Sequence, residues 1–116
     1  MYFTIREMAC KCCGVYEMQP DFMNMLERAR KLAGIPFNIN SAYRCIRHNR
    51  SQAVGGKVNS SHTLGYAADI ACTSSRDRHI ILKALRAAGF NRIGIYKTFI
   101  HVDSDPSKPE DVTWLI

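Results

Sequence analysis

The sequence predicts an α+β domain, with helices packed on a mainly antiparallel sheet. Two stretches, one from Pro20 to Ala33 and one from Ser74 to about Ala88, carry apolar residues at three- and four-residue steps, as amphipathic helices do. Short apolar or alternating runs at 67–71, 93–96 and 99–103 have the length and pattern of strands. The order is helix, strand, loop, strand, helix and strand pair, with too few and too irregularly placed helices for a doubly wound parallel sheet.

Residues 1–18 read as irregular, with short apolar pieces. Gln19-Pro20-Asp21 opens the first helix, since proline and an acid suit its first turn. Its stripe is Phe22, Met25, Leu26, Ala29, Leu32 and Ala33, and Gly34 and Pro36 end it. Phe37 to Tyr43 reads as a strand. Residues 45–61 read as a long polar loop, a length that in a compact domain often accompanies function. Ala67 to Ala71 is an apolar strand interrupted by Asp69. Ser74 with Asp77 three residues on resembles a capping box. The helix behind it turns Ile80, Ile81, Ala84, Leu85 and Ala88 inward, and Gly89 closes it. Ile93 to Tyr96 and Phe99 to Asp103 are expected to form a hairpin turning at Lys97-Thr98. The tail from Pro106 is polar, and Trp114, Leu115 and Ile116 are expected to tuck back onto the body.

With 116 residues the chain is expected to be a single domain, 1–116, able to bury a core without staples. No apolar run is long enough to span a bilayer. The N-terminus lacks the basic start and apolar core of a signal peptide, so synthesis in the cytoplasm without a leader is expected. The net charge of +6 admits two readings: a merely basic protein, or one with an anionic partner. Arginines are not interleaved with aromatics and no recognition helix is evident, so a nucleic-acid partner is not expected. A monomer without stable membrane insertion is.

Five cysteines are many for this length. Cys10, Cys12 and Cys13 cluster, while Cys45 and Cys72 stand apart. An odd count without a leader argues against a full disulfide framework. Paired C-x-x-C knuckles and a neighbouring histidine are absent, so buried or idle thiols are expected in preference to a structural metal.

The chemistry concentrates in Ser61-His62-Thr63-Leu64-Gly65-Tyr66-Ala67-Ala68-Asp69 and Ile100-His101-Val102-Asp103. A carboxylate at Asp69 among apolar residues is costly if buried without a partner, and a bound cation relieves that cost. Backbone or arginine hydrogen bonds are the alternative. On a strand, His101 and Asp103 share one face while Ile100 and Val102 share the other. His62, Asp69 and His101 make a three-ligand set for a catalytic zinc with one position open. His79 belongs to the polar side of its helix with Lys83 and Arg86. His48, between arginines in the loop, is a candidate for substrate binding.

S-H-x-x-G-x-A-x-D followed by a strand histidine resembles the zinc D-alanyl-D-alanine carboxypeptidase and L-alanyl-D-glutamate endolysin family, peptidase M15, whose fold is shared with the hedgehog signalling domain. Ser41-Ala42-Tyr43-Arg44 resembles the family's S-G-Y-R segment, and the likeness runs from about Phe3 to Asp105. The resemblance implies a hedgehog/DD-peptidase-like fold, one Zn2+ per chain on His62, Asp69 and His101, and cleavage of peptidoglycan stem peptides. Arg44 would then hold a substrate carboxylate, and Ser61 would donate a hydrogen bond to substrate. Absence of a leader suits a phage or prophage lysin that reaches the cell wall once released. The chain departs from the family pattern at Thr98 and Phe99, where many relatives carry a glutamate or a histidine. Asp103 is the nearest replacement for their general base, or else orients a ligand imidazole. Without a base, the fold would serve as a zinc-stabilised binding module.

Overall fold

The computed structural model describes residues 1–49 and 60–116, and for His48 the backbone alone. It has α1 (Ile5–Met8), α2 (Pro20–Ala33), β1 (Ile39–Ser41), α3 (Ile46–Asn49), a 3-10 turn (Ser61–Leu64), β2 (Ala67–Ala71), α4 (Ser75–Ala87), β3 (Arg92–Ile95), β4 (Phe99–Asp103) and β5 (Val112–Leu115). The strands form one sheet in the order β1-β2-β4-β3-β5. Every pairing is antiparallel except β3 with β5. The predicted α+β class is therefore the observed one.

The two long helices form where the sequence places them. Pro20 stands in the first turn of α2, and Gly34 ends it in the left-handed region at φ 69°. Ser74 caps α4 by accepting from the Asp77 N–H. Phe22, Leu26 and Ala29 of α2 and Ile81, Ala84 and Leu85 of α4 are buried, and they join Ala68, Ile70, Ile93, Ile100 and Val102 in the core. Phe22 meets Phe90 edge-on at 5.5 Å between ring centroids. Leu32, expected in the stripe, is instead 54% exposed. It sits in the last turn, where Ala33 is the residue that packs against the core. Ile80 is only partly buried.

Four stretches differ from the sequence reading. Within 1–18, Thr4 and Glu7 form a reciprocal capping box that holds the single turn α1. The strand expected over 37–43 pairs only at 39–41. The tail adds a parallel fifth strand, β5, beside β3 and lays Trp114 against His101, but Leu115 and Ile116, expected to tuck back, are exposed. Within the expected loop, 46–49 are helical, Ser61 opens the 3-10 turn, and 50–59 lie outside the described residues.

The sheet's two faces divide the labour. Ala68, Ile70, Ile100 and Val102 point to the helices and are buried. On the other face one row crosses all five strands, because Ser41 pairs with Asp69, Asp69 with His101, His101 with Gly94 and Gly94 with Trp114. A bulge between Ile39 and Ser41 brings Ser41 into that row.

Candidate metal centre

Cross-strand pairing sets Asp69 directly beside His101. Their side chains meet, with His101 Nδ1 2.9 Å from Asp69 Oδ1. His62 arrives from the 3-10 turn, which Ser60 caps by accepting from the His62 N–H and which Gly65 ends at φ 77°. The glycine is required twice over. A side chain there would sit in the left-handed region, and its Cβ would strike the Glu17 carbonyl oxygen.

The tautomer of His62 follows from its partner. Nδ1 lies 2.7 Å from the Ala42 carbonyl oxygen, which can only accept, so Nδ1 carries the proton. Its Nε2 lies 3.3 Å from Asp69 Oδ2. The two imidazole rings stand 5.3 Å apart. One donor atom from each of His62, Asp69 and His101 falls within 4.8 Å of the other two. Two ring nitrogens and a carboxylate oxygen, two of the three residues buried, make a donor set that suits a divalent metal ion.

Around these three the polar partners are layered. His101 Nε2 lies 2.7 Å from Asp103 Oδ2, so the imidazole is held between two carboxylates. Burial would lower the His101 pKa, but the bonds to Asp103 and Asp69 outweigh it and raise it. Asp103 is 1% exposed. Its other oxygen accepts from Arg92 Nε at 2.6 Å and from the Asp105 N–H at 3.2 Å. Burial would raise the Asp103 pKa, yet His101 and Arg92 hold it below the usual carboxylate range. Asp69 behaves alike: burial is outweighed by His101 and His62.

Arg44 reaches the same carboxylate. Its Nη2 donates to Asp69 Oδ2 at 3.1 Å, Nε to Ser41 Oγ at 2.9 Å and Nη1 to Asn49 Oδ1 at 3.2 Å. Three of the five guanidinium N–H groups are used in these bonds. Burial lowers the Arg44 pKa, partly offset by Asp69. Trp114 closes the far end of the row, its indole 5.5 Å from the His101 ring and 5.5 Å from the Arg92 guanidinium. Gly94 makes this possible, since any Cβ there would meet the indole.

The other candidates fall as follows. Ser61 is buried, and its hydroxyl donates to Asp105 Oδ2 at 2.7 Å while accepting from Lys108 Nζ at 2.8 Å. Its only O–H is thus spent inside the protein. The His48 side chain lies outside the described residues. His79 is exposed on α4, away from the metal centre. Sequence reasoning missed Arg92, Asn49, Asp105 and Trp114. A buried Asp103 needs a cation, which was a signal for Arg92. Trp114 left none, because the parallel pairing of β5 has no local mark in the sequence.

The profile of the peptidase M15 family matches residues 1–103. No curated protein matches the chain. Among the described residues no helix is long and apolar enough to cross a membrane.

Proposed function

The chain belongs to the peptidase M15 family, and from that premise we propose that it is a zinc-dependent peptidase. Its substrate would be a peptide bond in peptidoglycan stem peptides, of the D-Ala-D-Ala carboxypeptidase or L-Ala-D-Glu endopeptidase type. The observation that carries the reading is the convergence of His62, Asp69 and His101 within 4.8 Å on the polar face of the sheet. When bound there, zinc supplies Lewis acidity that polarises a scissile carbonyl and lowers the pKa of water. His62 contributes Nε2, because Ala42 claims its other nitrogen. His101 contributes Nδ1, because Asp103 claims its Nε2.

Of the two roles open to Asp103, we assign the orienting one. Its oxygens are committed to His101, Arg92 and the Asp105 backbone, and it is buried beneath the ligand. Among the described residues three of the five Arg44 N–H groups are bonded, and we assign the other two to a substrate carboxylate, gripped while Asp69 is held. The positive charge favours an anionic cell wall as the setting. A phage or prophage lysin released to that wall fits this combination.

The second reading keeps the metal and drops the catalysis. It is favoured by Thr98 and Phe99, where many relatives carry a proton-transfer group, and by the full engagement of Asp103. Digestion of purified peptidoglycan with zinc, followed by mass spectrometry, separates the two. New stem-peptide fragments that vanish with a chelator support the peptidase. Intact wall at full zinc occupancy supports the binding module.

A further inference from the structure

The four sulfurs of Cys10, Cys12, Cys13 and Cys45 lie within 4.8 Å of one another and form a group separate from His62, Asp69 and His101. We propose that they form a second, structural zinc site of four thiolates.

Local structure builds the first three ligands into one turn. The Gly14 N–H donates to the Cys10 carbonyl and the Cys10 N–H to the Val15 carbonyl, both at 2.8 Å, and Gly14 takes φ 74° to close it. Cys45 is delivered from 35 residues away. The Tyr43 N–H donates to the Met8 carbonyl at 3.1 Å, docking its segment onto the N-terminal turn. Sequence spacing alone does not pair Cys45 with the others, and the expectation of buried or idle thiols rests on the missing C-x-x-C knuckles and neighbouring histidine.

The distances discriminate between a metal and a disulfide. Cys10 lies 3.5 Å from Cys12 and 3.6 Å from Cys45, and Cys12 lies 3.3 Å from Cys45. A disulfide needs about 2.0 Å. Four sulfurs about 2.3 Å from a tetrahedral zinc stand about 3.8 Å apart, close to what is observed. None of the five cysteines is in a disulfide. A closed set of four thiolates is the donor set of a structural zinc, with no position left for substrate.

The Cys45 N–H donates to Cys10 Sγ at 3.4 Å. Four thiolates this close would repel one another, and a divalent cation offsets that repulsion.

The site has a consequence for its neighbour. Cys45 follows Arg44, whose N–H donates to the His62 carbonyl at 3.2 Å and whose guanidinium holds Asp69. A zinc on the cysteines staples the N-terminal turn to the segment that presents Arg44.

Cobalt titration of the reduced, metal-free full chain tests this, because a thiolate-to-cobalt charge-transfer band reports sulfur ligands regardless of the His-Asp-His site. The expected result is such a band, saturating at one equivalent and bleached by zinc. It persists in His62→Ala and in Cys72→Ser, and disappears in the Cys12→Ser/Cys45→Ser double variant. Zinc should also shield four of the five cysteines of the unaltered protein from alkylation, mapped by mass spectrometry, which needs no variant to fold. Absence of the band in fully reduced protein, or equal alkylation of all five thiols with and without zinc, overturns the proposal.

Discussion

His101 Nε2 and Asp103 Oδ2 lie 2.7 Å apart across a two-residue step of β4. A strand puts residues i and i+2 on one face, so this contact is a direct product of the H-x-D spacing. Arg92, paired with Asp103 across β3 and β4, pins the carboxylate from the other side. The chain Arg92–Asp103–His101 thus ends at Nδ1, the nitrogen turned toward Asp69. Fixing the second nitrogen of a ligand imidazole sets both its tautomer and its aim.

Asp103→Asn tests that role. The amide keeps the shape but loses the charge that holds His101. Zinc affinity is expected to fall about 10- to 100-fold, as when other carboxylate partners of ligand histidines are removed. Much of the activity should return at saturating zinc. Competition with a chromophoric chelator measures the affinity. Unchanged affinity with abolished turnover would instead make Asp103 the general base.

Arg44→Lys keeps a positive charge near Asp69 and loses the planar fork. If Arg44 grips a substrate carboxylate, kcat/KM should fall about 10- to 100-fold, the worth of a charged hydrogen bond. The loss should appear mainly in KM. Steady-state kinetics on a stem peptide and on its C-terminal amide provide the check. Equal loss on both substrates would confine Arg44 to holding Asp69.

What the sequence revealed follows from what is local. β2 is legible as a short apolar run and β4 by its alternation, and α2 and α4 because Pro20, Gly34 and Ser74 punctuate them. His62, Asp69 and His101 stood out as polar groups in apolar or glycine-bearing surroundings. The roles of their partners were not legible. Whether Arg44 is free, whether the Ser61 proton is spent on Asp105, and whether Cys45 meets Cys10 depend on contacts spanning 25 to 44 residues. β5 escaped because a parallel neighbour to β3 is set by how the tail returns, and Asp111 makes that return at φ 59°. The Thr4–Glu7 capping box is local, but the single turn it holds is too short for apolar periodicity to mark it.

Asp105 links pH to stability. Burial would raise its pKa, but Ser107, Ser61 and Lys108 hold it below the usual carboxylate value. A depressed folded pKa means stability that is present above the unfolded value of about 3.9 and lost as pH falls through the folded one. Urea midpoints of the wild type should therefore drop steeply below about pH 4. Asp105→Asn should lower the midpoint at pH 7 and flatten that acid limb. Parallel curves for the two proteins would show that Asp105 contributes no pH-dependent stability.

Gly34 and Gly65 separate two reasons for a glycine. Both have positive φ, 69° and 77°. At Gly34 nothing lies within 4 Å of an added Cβ, so alanine there carries only the left-handed penalty of about 1–2 kcal/mol. At Gly65 the Cβ would also strike the Glu17 carbonyl, with Met18 Cα 3.1 Å away, and backbone cannot swing aside as a side chain can. Overpacking adds about 1–3 kcal/mol to the same left-handed cost. Gly65→Ala should thus destabilise about twice as much as Gly34→Ala by urea titration. The difference should extend to the metal. Gly65 ends the turn that carries His62, and its N–H donates to the His62 carbonyl. Displacing it moves the ligand, so Gly65→Ala should lose zinc affinity while Gly34→Ala, at the distal end of α2, retains it. Equal zinc binding by the two variants would mean that His62 is positioned by Ala42 and Ser60 alone.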